Sequence, residues 1–177
     1  MTDNASLLDQ IRARFPEAAE TVSPDPKFVR GNEELQIKVP ALSVGRLAAF
    51  LKDKLGFDFL NFLTAVDFPK ENRFELVYHF LRSSDPGVQV FVKADLPREG
   101  EPSLPSLVAS YAAADWQERE TYDLFGIRFD GHPNHKRILL WEGYSGWPLR
   151  KDYVHTRDKY DNGTEVGTPK TPAGGAR

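Results

Sequence analysis

The chain has 177 residues, of which 40% are hydrophobic and 28% are charged, a balance typical of a globular protein with one main core. Its net charge of −3 argues against a nucleic-acid-binding protein, because such proteins need a basic surface to displace counterions. The chain contains no cysteine, which excludes disulfides and thiolate-bound zinc or iron–sulfur clusters within it. Any redox centre that works with this protein is therefore expected on another chain.

Neither a targeting sequence nor a membrane span is predicted. The N-terminal residues lack the basic start and apolar run of a signal peptide. No stretch approaches the roughly 18 consecutive apolar residues that a membrane-spanning helix needs. We therefore expect membrane association only through partner proteins.

Two helices are predicted in the first third of the chain. The first is capped by Asn4 or Ser6 and ends at Pro16, and residues 21–31 form a loop. The second is capped by Ser43 and ends at Gly56. Helical spacing is carried by Leu7, Leu8, Ile11 and Phe15 in the first helix and by Val44, Leu47, Phe50, Leu51 and Leu55 in the second.

Alternating apolar residues predict strands at residues 35–39, 74–80 and 88–92, and an aromatic-rich run predicts another at 57–68. The turn sequence SDPG at residues 84–87 joins the last two strands into a hairpin. His79 is expected on the polar face of its strand, without a special function. Closely spaced strands indicate an α+β fold with a mixed or antiparallel sheet and helices on one face.

The second half of the chain is predicted to change character near residue 131. Before that point we expect a loop at 96–105, a helix at 106–115, and a helix at 116–125 that Asp115 caps. A short extended piece at 127–129 and a turn at 130–133 follow. Periodicity then fades, and residues 154–177 are expected to be extended or disordered. The chain therefore divides into an α/β domain, residues 1–130, and an extended partner-binding segment with a tail, residues 131–177.

Aromatic residues are concentrated near the end of the chain. Nine of the 45 residues from 116 to 160 are aromatic, against 12% of the whole chain. These rings either cap the sheet of the same chain or anchor it to another protein. We favour anchoring, since Trp, Tyr and Arg dominate binding energies at interfaces and an uncovered aromatic patch promotes aggregation.

Four strings in this region resemble one family signature. They are ERETYDLFGI at 118–127, GHPN at 131–134, RIL at 137–139 and GWPLRKDY at 146–153. The pattern is similar to the C subunit of NADH-quinone oxidoreductase, which is the 30 kDa subunit of respiratory complex I. The strings DWQ at 115–117 and GWPL at 146–149 look closest to photosynthetic-type complexes. The chain departs from the family pattern at His135, Lys136 and Val154, which bears on the subfamily and the electron donor.

The resemblance implies a non-catalytic subunit of a proton-translocating complex, in its peripheral arm on the cytoplasmic side of the cell membrane. Its expected partners are the quinone-pocket subunit, which is D-like, and adjacent iron–sulfur subunits. FMN and iron–sulfur clusters are expected in those partners, with no catalytic, cofactor-binding or metal-binding residue in this chain. The residues expected at the partner interface or in the signature are Trp116, Glu118, Arg119, Glu120, Tyr122, Asp123, Phe125, Gly126, Gly131, His132, Pro133, Arg137, Trp147, Pro148, Arg150, Lys151, Asp152 and Tyr153.

Three alternatives remain open. An equivalent component of a membrane-bound hydrogenase or of a ferredoxin-driven quinone reductase fits the same signature. A free-standing metal-dependent hydrolase could use His132 and His135, although two histidines do not complete a metal site. Glu120 and Asp123 lie on one helical face, near Glu118, and could act as acid–base carboxylates. The glycines at 143 and 146 lack the lysine of a phosphate-binding loop, so NADH binding in this chain is not expected.

Overall fold

A five-stranded mixed sheet and three helices form an α+β fold in the computed structural model, which describes residues 4–21 and 35–155. Two single-turn 3-10 helices, Ala41–Ser43 and Pro69–Glu71, lie between the larger elements. In chain order the elements are α1 (Asn4–Arg14), β1 (Ala19–Glu20), β2 (Leu35–Lys38), α2 (Val44–Leu55), β3 (Phe59–Phe68), β4 (Arg73–Arg82), β5 (Asp85–Pro97), β6 (Ser103–Pro105), α3 (Ala114–Phe125) and β7 (Arg128–Asp130).

The sheet confirms the predicted hairpin and the mixed pairing. Its strand order is β1-β2-β5-β4-β3, and only β2 and β5 run parallel. The hairpin turn is tighter than predicted, because β4 ends at Arg82 and β5 already begins at Asp85. A second, two-stranded parallel sheet joins β6 to β7. Among the described residues, no helix is long and apolar enough to cross a lipid bilayer.

The core lies between α1, α2 and one face of the sheet. Alternate residues of β4 point into it, as the period of two requires, and α2 buries one apolar stripe against them. On the opposite face His79 is buried, stacked on Phe91 with ring centres 4.2 Å apart. Asn61 and Gln89 lie at hydrogen-bonding distance from its two ring nitrogens. The buried core residues of β4 and α2 are Phe74, Leu76, Tyr78, Phe80, Val44, Leu47, Ala48 and Leu51.

The predicted helix at residues 106–115 is wrong. The chain forms turns there, and α3 begins at Ala114, so Asp115 lies inside the helix instead of capping it. Side chains compete with helix formation, because the Tyr111 hydroxyl donates to the carbonyl oxygens of Ala48 and Phe57. The Glu118 carboxylate likewise accepts the Leu107 N–H.

Ser43 precedes α2 as predicted, but its hydroxyl does not cap the helix. A 3-10 turn leads into α2, and the hydroxyl donates to the Glu17 carboxylate at 2.8 Å. Gly56 ends α2 with a left-handed backbone, φ +73°, as predicted.

Two short strands were not predicted. β1 has two residues, and β6 has three and lies in the segment expected to be a loop. Strands of this length carry too little alternation to be recognised. The predicted loop at 21–31 and tail at 154–177 fall almost entirely outside the described residues.

Candidate partner interface and the C-terminal arm

Residues 131–155, here called the C-terminal arm, fold back onto α3. Asp123 of α3 is fully buried and holds the start of the arm. One carboxylate oxygen accepts the N–H groups of residues 138, 139 and 140 at 2.9, 2.7 and 2.9 Å. The other accepts a guanidinium N–H of Arg137 at 2.7 Å. Burial raises the pKa of this carboxyl, but the hydrogen bonds outweigh burial and hold it below its usual value.

A second buried carboxylate, Asp67 near the end of β3, holds the far end of the arm. It accepts two hydrogen bonds from the Arg98 guanidinium, at 2.8 and 3.2 Å, and the Lys151 N–H at 2.7 Å. Arg98 also pairs with Asp152. Although burial raises the pKa of Asp67, these hydrogen bonds lower it further than burial raises it. The arm is thus tied to the sheet and to α3 by separate ion pairs.

Trp147 packs on the end of α3, where the absence of a side chain at Gly126 makes room for its ring. Gly126 has φ +74°, and a Cβ at this position would lie 2.5 Å from the indole ring. The Tyr122 ring centre is 5.3 Å from that of Trp147, and the Arg137 guanidinium lies 4.5 Å from its centre. Trp147 therefore contacts both α3, at Tyr122 and Gly126, and the start of the arm, at Arg137.

Arg150 and Tyr153 also make their described contacts within the chain. The Arg150 guanidinium donates to the carbonyl oxygen of Phe125 at 2.7 Å, at the negative end of α3, and lies 5.1 Å from the Phe74 ring. Burial lowers the pKa of Arg150. The Tyr153 hydroxyl donates to that of Tyr144 at 2.9 Å. Pro148, which follows Trp147, is half-buried, and the Lys151 side chain is exposed.

The two histidines of the GHPN region bind backbone groups of the chain. The His132 ring is buried; its Nε2 donates to the Asp115 carbonyl at 3.1 Å, while Nδ1 accepts the Asn134 N–H. The His135 Nε2 accepts the Phe129 N–H at 3.2 Å. In the described part of the chain, no group of three or more His, Cys, Asp or Glu side chains is placed to hold a metal ion. Nothing in this geometry supports the metal-dependent hydrolase.

The remaining residues of the signature serve different parts of the structure. Glu118 and Asp123 are buried and bind N–H groups, whereas Glu120 is exposed, so the three carboxyls do not form one acid–base site. Arg119 donates to the carbonyl oxygens at 136 and 137 at 3.1 and 3.2 Å. Phe125 is buried against the sheet, Gly131 has a left-handed backbone, and Pro133 is exposed.

One face of α3, which mixes apolar and charged side chains, continues onto Leu149 of the arm. Trp116, Glu120 and Leu124 follow one another at intervals of four residues and so share a helix face. Leu149 extends this face, since its N–H donates to the Leu124 carbonyl. Trp116 is 64% exposed and Leu149 is 47% exposed. We call these four residues the α3 stripe.

Sequence reasoning predicted Trp116 and Glu120 as interface residues and did not single out Asp67 or Arg98; Leu124 and Leu149 lie within the signature strings but were not named as interface residues. A signal for Asp67 was present, because it follows Leu63 and Ala65 at alternate positions that face the core. The predicted interface stays a prediction, since the contacts described above all lie within this chain.

Comparison with known proteins identifies close relatives. The family model for the respiratory-chain NADH dehydrogenase 30 kDa subunit matches residues 37–159. The chain is 48% identical over 126 residues to the J subunit of NAD(P)H-quinone oxidoreductase from Synechococcus sp. strain WH7803, covering 67% of this chain and 69% of that protein. It is 44% identical over 140 residues to the C subunit of NADH-quinone oxidoreductase from Moorella thermoacetica, covering 78% and 93% respectively.

Two further matches bear on the assembly. The C/D subunit of NADH-quinone oxidoreductase from Bdellovibrio bacteriovorus is 42% identical over 128 residues, covering 72% of this chain and 22% of that longer protein. A chain in the solved structure of the membrane-bound sulfane sulfur reductase, described as an archaeal respiratory membrane complex, superposes with a TM-score of 0.72. That match is 25% identical in sequence and covers 93% of this chain and 98% of the other.

Proposed function

Since this chain belongs to the family of the respiratory-chain NADH dehydrogenase 30 kDa subunit, we propose that it scaffolds the peripheral arm of a proton-translocating quinone oxidoreductase. In this proposal the chain contributes no catalytic residue. It holds the quinone-pocket subunit and adjacent iron–sulfur subunits in place. FMN and iron–sulfur clusters belong to those partners, and the chain reaches the cytoplasmic side of the membrane only through them.

The attachment of the C-terminal arm to both α3 and the sheet is the observation that carries this proposal. Asp123 of α3 binds the Arg137 guanidinium and three backbone N–H groups of the arm, and Asp67 of β3 accepts the Lys151 N–H, so the arm is fastened to both α3 and the sheet. The α3 stripe lies on the same side of the molecule as a mixed surface, on which the exposed rings and chains of Trp116 and Leu149 accompany the charged Glu120. A surface of this kind suits a permanent partner, because its shape is set before binding and a buried ring contributes roughly 2–3 kcal/mol.

The fused Bdellovibrio protein supports the choice of the D-like protein as a direct partner. Fusion of C and D in one polypeptide keeps the two parts at a high effective concentration, which is useful where they already meet. The quinone-pocket subunit is therefore the partner that we place against the arm and the α3 stripe.

A related machine with another electron donor or acceptor is the second candidate. The superposition on a chain of a sulfane sulfur reductase complex favours this candidate, because the match indicates that the fold serves more than one respiratory complex. The set of proteins in the native assembly separates the two candidates. A flavin-containing, NADH-binding partner favours the first, and hydrogenase-type metal ligands in the neighbouring protein favour the second.

The proposal is tested by tagging the full chain and purifying it from native membranes. We expect iron–sulfur partners to co-purify with the wild-type chain. Truncating Trp116 and Leu149 together to alanine should reduce their recovery about 30-fold, which corresponds to roughly 2 kcal/mol of binding energy. Leu42→Ala is the control, because Leu42 is 77% exposed and lies outside the α3 stripe. Two results together would reject the scaffold role. The wild-type chain would be recovered as a free monomer, and membranes from cells without this chain would still reduce quinone normally.

A further inference from the structure

Most of the α3 stripe forms one wall of a groove whose other wall is the edge of the main sheet. β3 is the outermost strand of that sheet, and α3 packs beside it. The Gln117 side chain of α3 donates to the Asn61 carbonyl of β3 at 3.3 Å, next to the groove, and Leu149 of the arm lines the groove together with Leu124. The groove encloses about 350 Å³. It is therefore a concave site built by three separate parts of the chain.

The lining of the groove is mainly apolar and suits a protein side chain better than a small ligand. Small-ligand sites span roughly 300–1,000 Å³ and present several converging polar groups, whereas this groove is near the lower limit of that range. The Thr121 hydroxyl is already committed, since it donates to the Gln117 carbonyl at 2.8 Å. Removing apolar lining from water favours an apolar occupant. The apolar lining residues are Phe62, Leu63, Leu124, Phe125 and Leu149.

Glu120 is the charged residue in this lining, and its carboxylate makes no ion pair with any residue that the structure describes. The residues three and four positions away on α3, which are the ones that can reach it along the helix, include no basic residue. The adjacent Arg119 guanidinium binds the carbonyl oxygens of residues 136 and 137 instead. The groove therefore presents an exposed negative charge beside an apolar lining, which is complementary to a basic group beside an apolar one.

We propose that this groove receives one large apolar side chain of the D-like quinone-pocket subunit, and that a Lys or Arg next to that side chain pairs with Glu120. The inference rests on the proposed function, from which it takes the identity of the partner, and it names the site and the chemistry of the contact. The apolar side chain supplies binding energy by filling the groove, and the ion pair fixes the orientation of the partner segment. Trp116, one helical turn before Glu120, covers the rim of the same contact.

Filling the groove from within tests its occupancy. Thr64 is exposed on the β3 side of the groove, so Thr64→Tyr adds a ring there without removing a core contact, and tyrosine is well suited to a strand. Recovery of the D-like subunit with the tagged full chain from native membranes should fall at least about 10-fold. Val66→Tyr is the matched control, because Val66 is 39% exposed on the same face of β3 but does not line the groove. Its recovery should stay within about twofold of the wild type.

Charge variants test the ion pair. Glu120→Lys places a like charge against the basic group of the partner and should lower recovery of the D-like subunit at least about 10-fold, whereas Glu120→Gln should lower it by less. Raising the salt concentration during purification should weaken recovery with the wild-type chain more than with Glu120→Gln, because salt screens the pair. Glu120 is exposed, so these variants keep the fold and decide the inference even if Thr64→Tyr does not fold.

The outcomes separate this inference from the proposed function. If the wild-type chain recovers the D-like subunit but Glu120→Lys and a folded Thr64→Tyr recover it equally well, the groove is not the contact and the inference is overturned, while the scaffold role stands. Equal losses in Thr64→Tyr and Val66→Tyr would also overturn it, since the partner would then lie on the sheet face and not in the groove. Failure of the wild-type chain to recover any partner would instead count against the proposed function.

Discussion

Asp123 and Arg137 are 14 residues apart in the chain, and their side chains meet at 2.7 Å in an ion pair at the base of the C-terminal arm. The same guanidinium donates to the carbonyl oxygens of Tyr144 and Gly146, at 3.3 and 3.2 Å, and covers the Trp147 ring. Arg137 therefore contacts Tyr144, Gly146 and Trp147 of the arm while its guanidinium is paired with the buried Asp123 carboxylate. An arm without helix or strand periodicity gains a defined shape in this way.

Asp123→Asn should destabilise the chain by about 3 kcal/mol. The amide keeps the approximate shape of the carboxylate but leaves the partly buried Arg137 guanidinium without its counter-charge, and breaking a buried pair on one side has roughly this effect. Its NH2 group also cannot accept the hydrogen bonds that a carboxylate oxygen accepts. Urea unfolding of the full chain measures the change in the free energy of unfolding.

Asp130→Asn is the control for that measurement. Asp130 is exposed, and the hydrogen bond described for it uses its backbone carbonyl, which the substitution leaves intact. We expect its unfolding free energy to stay within about 0.5 kcal/mol of the wild type. Equal effects of the two substitutions would mean that Asp123 does not hold the arm.

The two arm-binding carboxylates should make the fold sensitive to acid. The pKa values of Asp67 and Asp123 lie below the ordinary value of 3.8, so the unfolded chain takes up protons before the folded one does. Their contribution to stability is complete above about pH 4 and is lost as the pH falls through their folded pKa values. Unfolding free energies measured from pH 6 to pH 2.5 should show this decline.

Variants at single carboxylates assign the acid sensitivity. Asp67→Asn should lower stability at pH 6 and flatten the decline at acid pH, because the titrating group is gone. Asp9→Asn, on the exposed face of α1, should reproduce the wild-type decline. A decline of wild-type steepness in Asp67→Asn would remove Asp67 from this explanation.

Gly126→Ala should be more damaging than Gly56→Ala, although the two glycines end helices with nearly the same φ, +74° and +73°. Each alanine incurs the penalty of a left-handed backbone, about 1–2 kcal/mol. At Gly56 no atom lies within 4 Å of the added Cβ, whereas at Gly126 the Trp147 ring lies 2.5 Å away. We expect Gly126→Ala to lose at least about 2 kcal/mol more in urea unfolding. Equal losses would show that Trp147 does not pack on this position.

Local patterns in the sequence predicted those elements whose hydrogen bonds are local. The β4–β5 hairpin combines alternating apolar residues with a turn sequence, and α2 carries an amphipathic stripe that ends at a glycine. The helix predicted at 106–115 does not form, because hydrogen bonds to distant parts of the chain replace those that a helix would make. Its Leu107 N–H is taken by Glu118, 11 residues later, and the Tyr111 hydroxyl reaches α2.

The path of the C-terminal arm could not be read from the sequence, because its fixing contacts join distant residues. The Lys151 N–H meets Asp67 across 84 residues of chain, and no periodic pattern reports such a pair. The signature nevertheless identified the family, since ERETYDLFGI contains the buried carboxylates Glu118 and Asp123 and the glycine under Trp147. The same residues can mark a family through its fold as well as through its contacts with partners.

Arg150→Gln and Trp116→Ala should separate folding from assembly. Arg150 binds the Phe125 carbonyl and the Phe74 ring, so its substitution should destabilise the isolated chain by about 1–2 kcal/mol and reduce assembly only as a consequence. Trp116 is 64% exposed, so its truncation should change the unfolding free energy by less than about 0.5 kcal/mol and still reduce recovery of partner proteins. Urea unfolding and co-purification are measured on the same variants. Normal assembly of Trp116→Ala, together with poor assembly of a fully stable Arg150→Gln, would move the interface from the α3 stripe to Arg150.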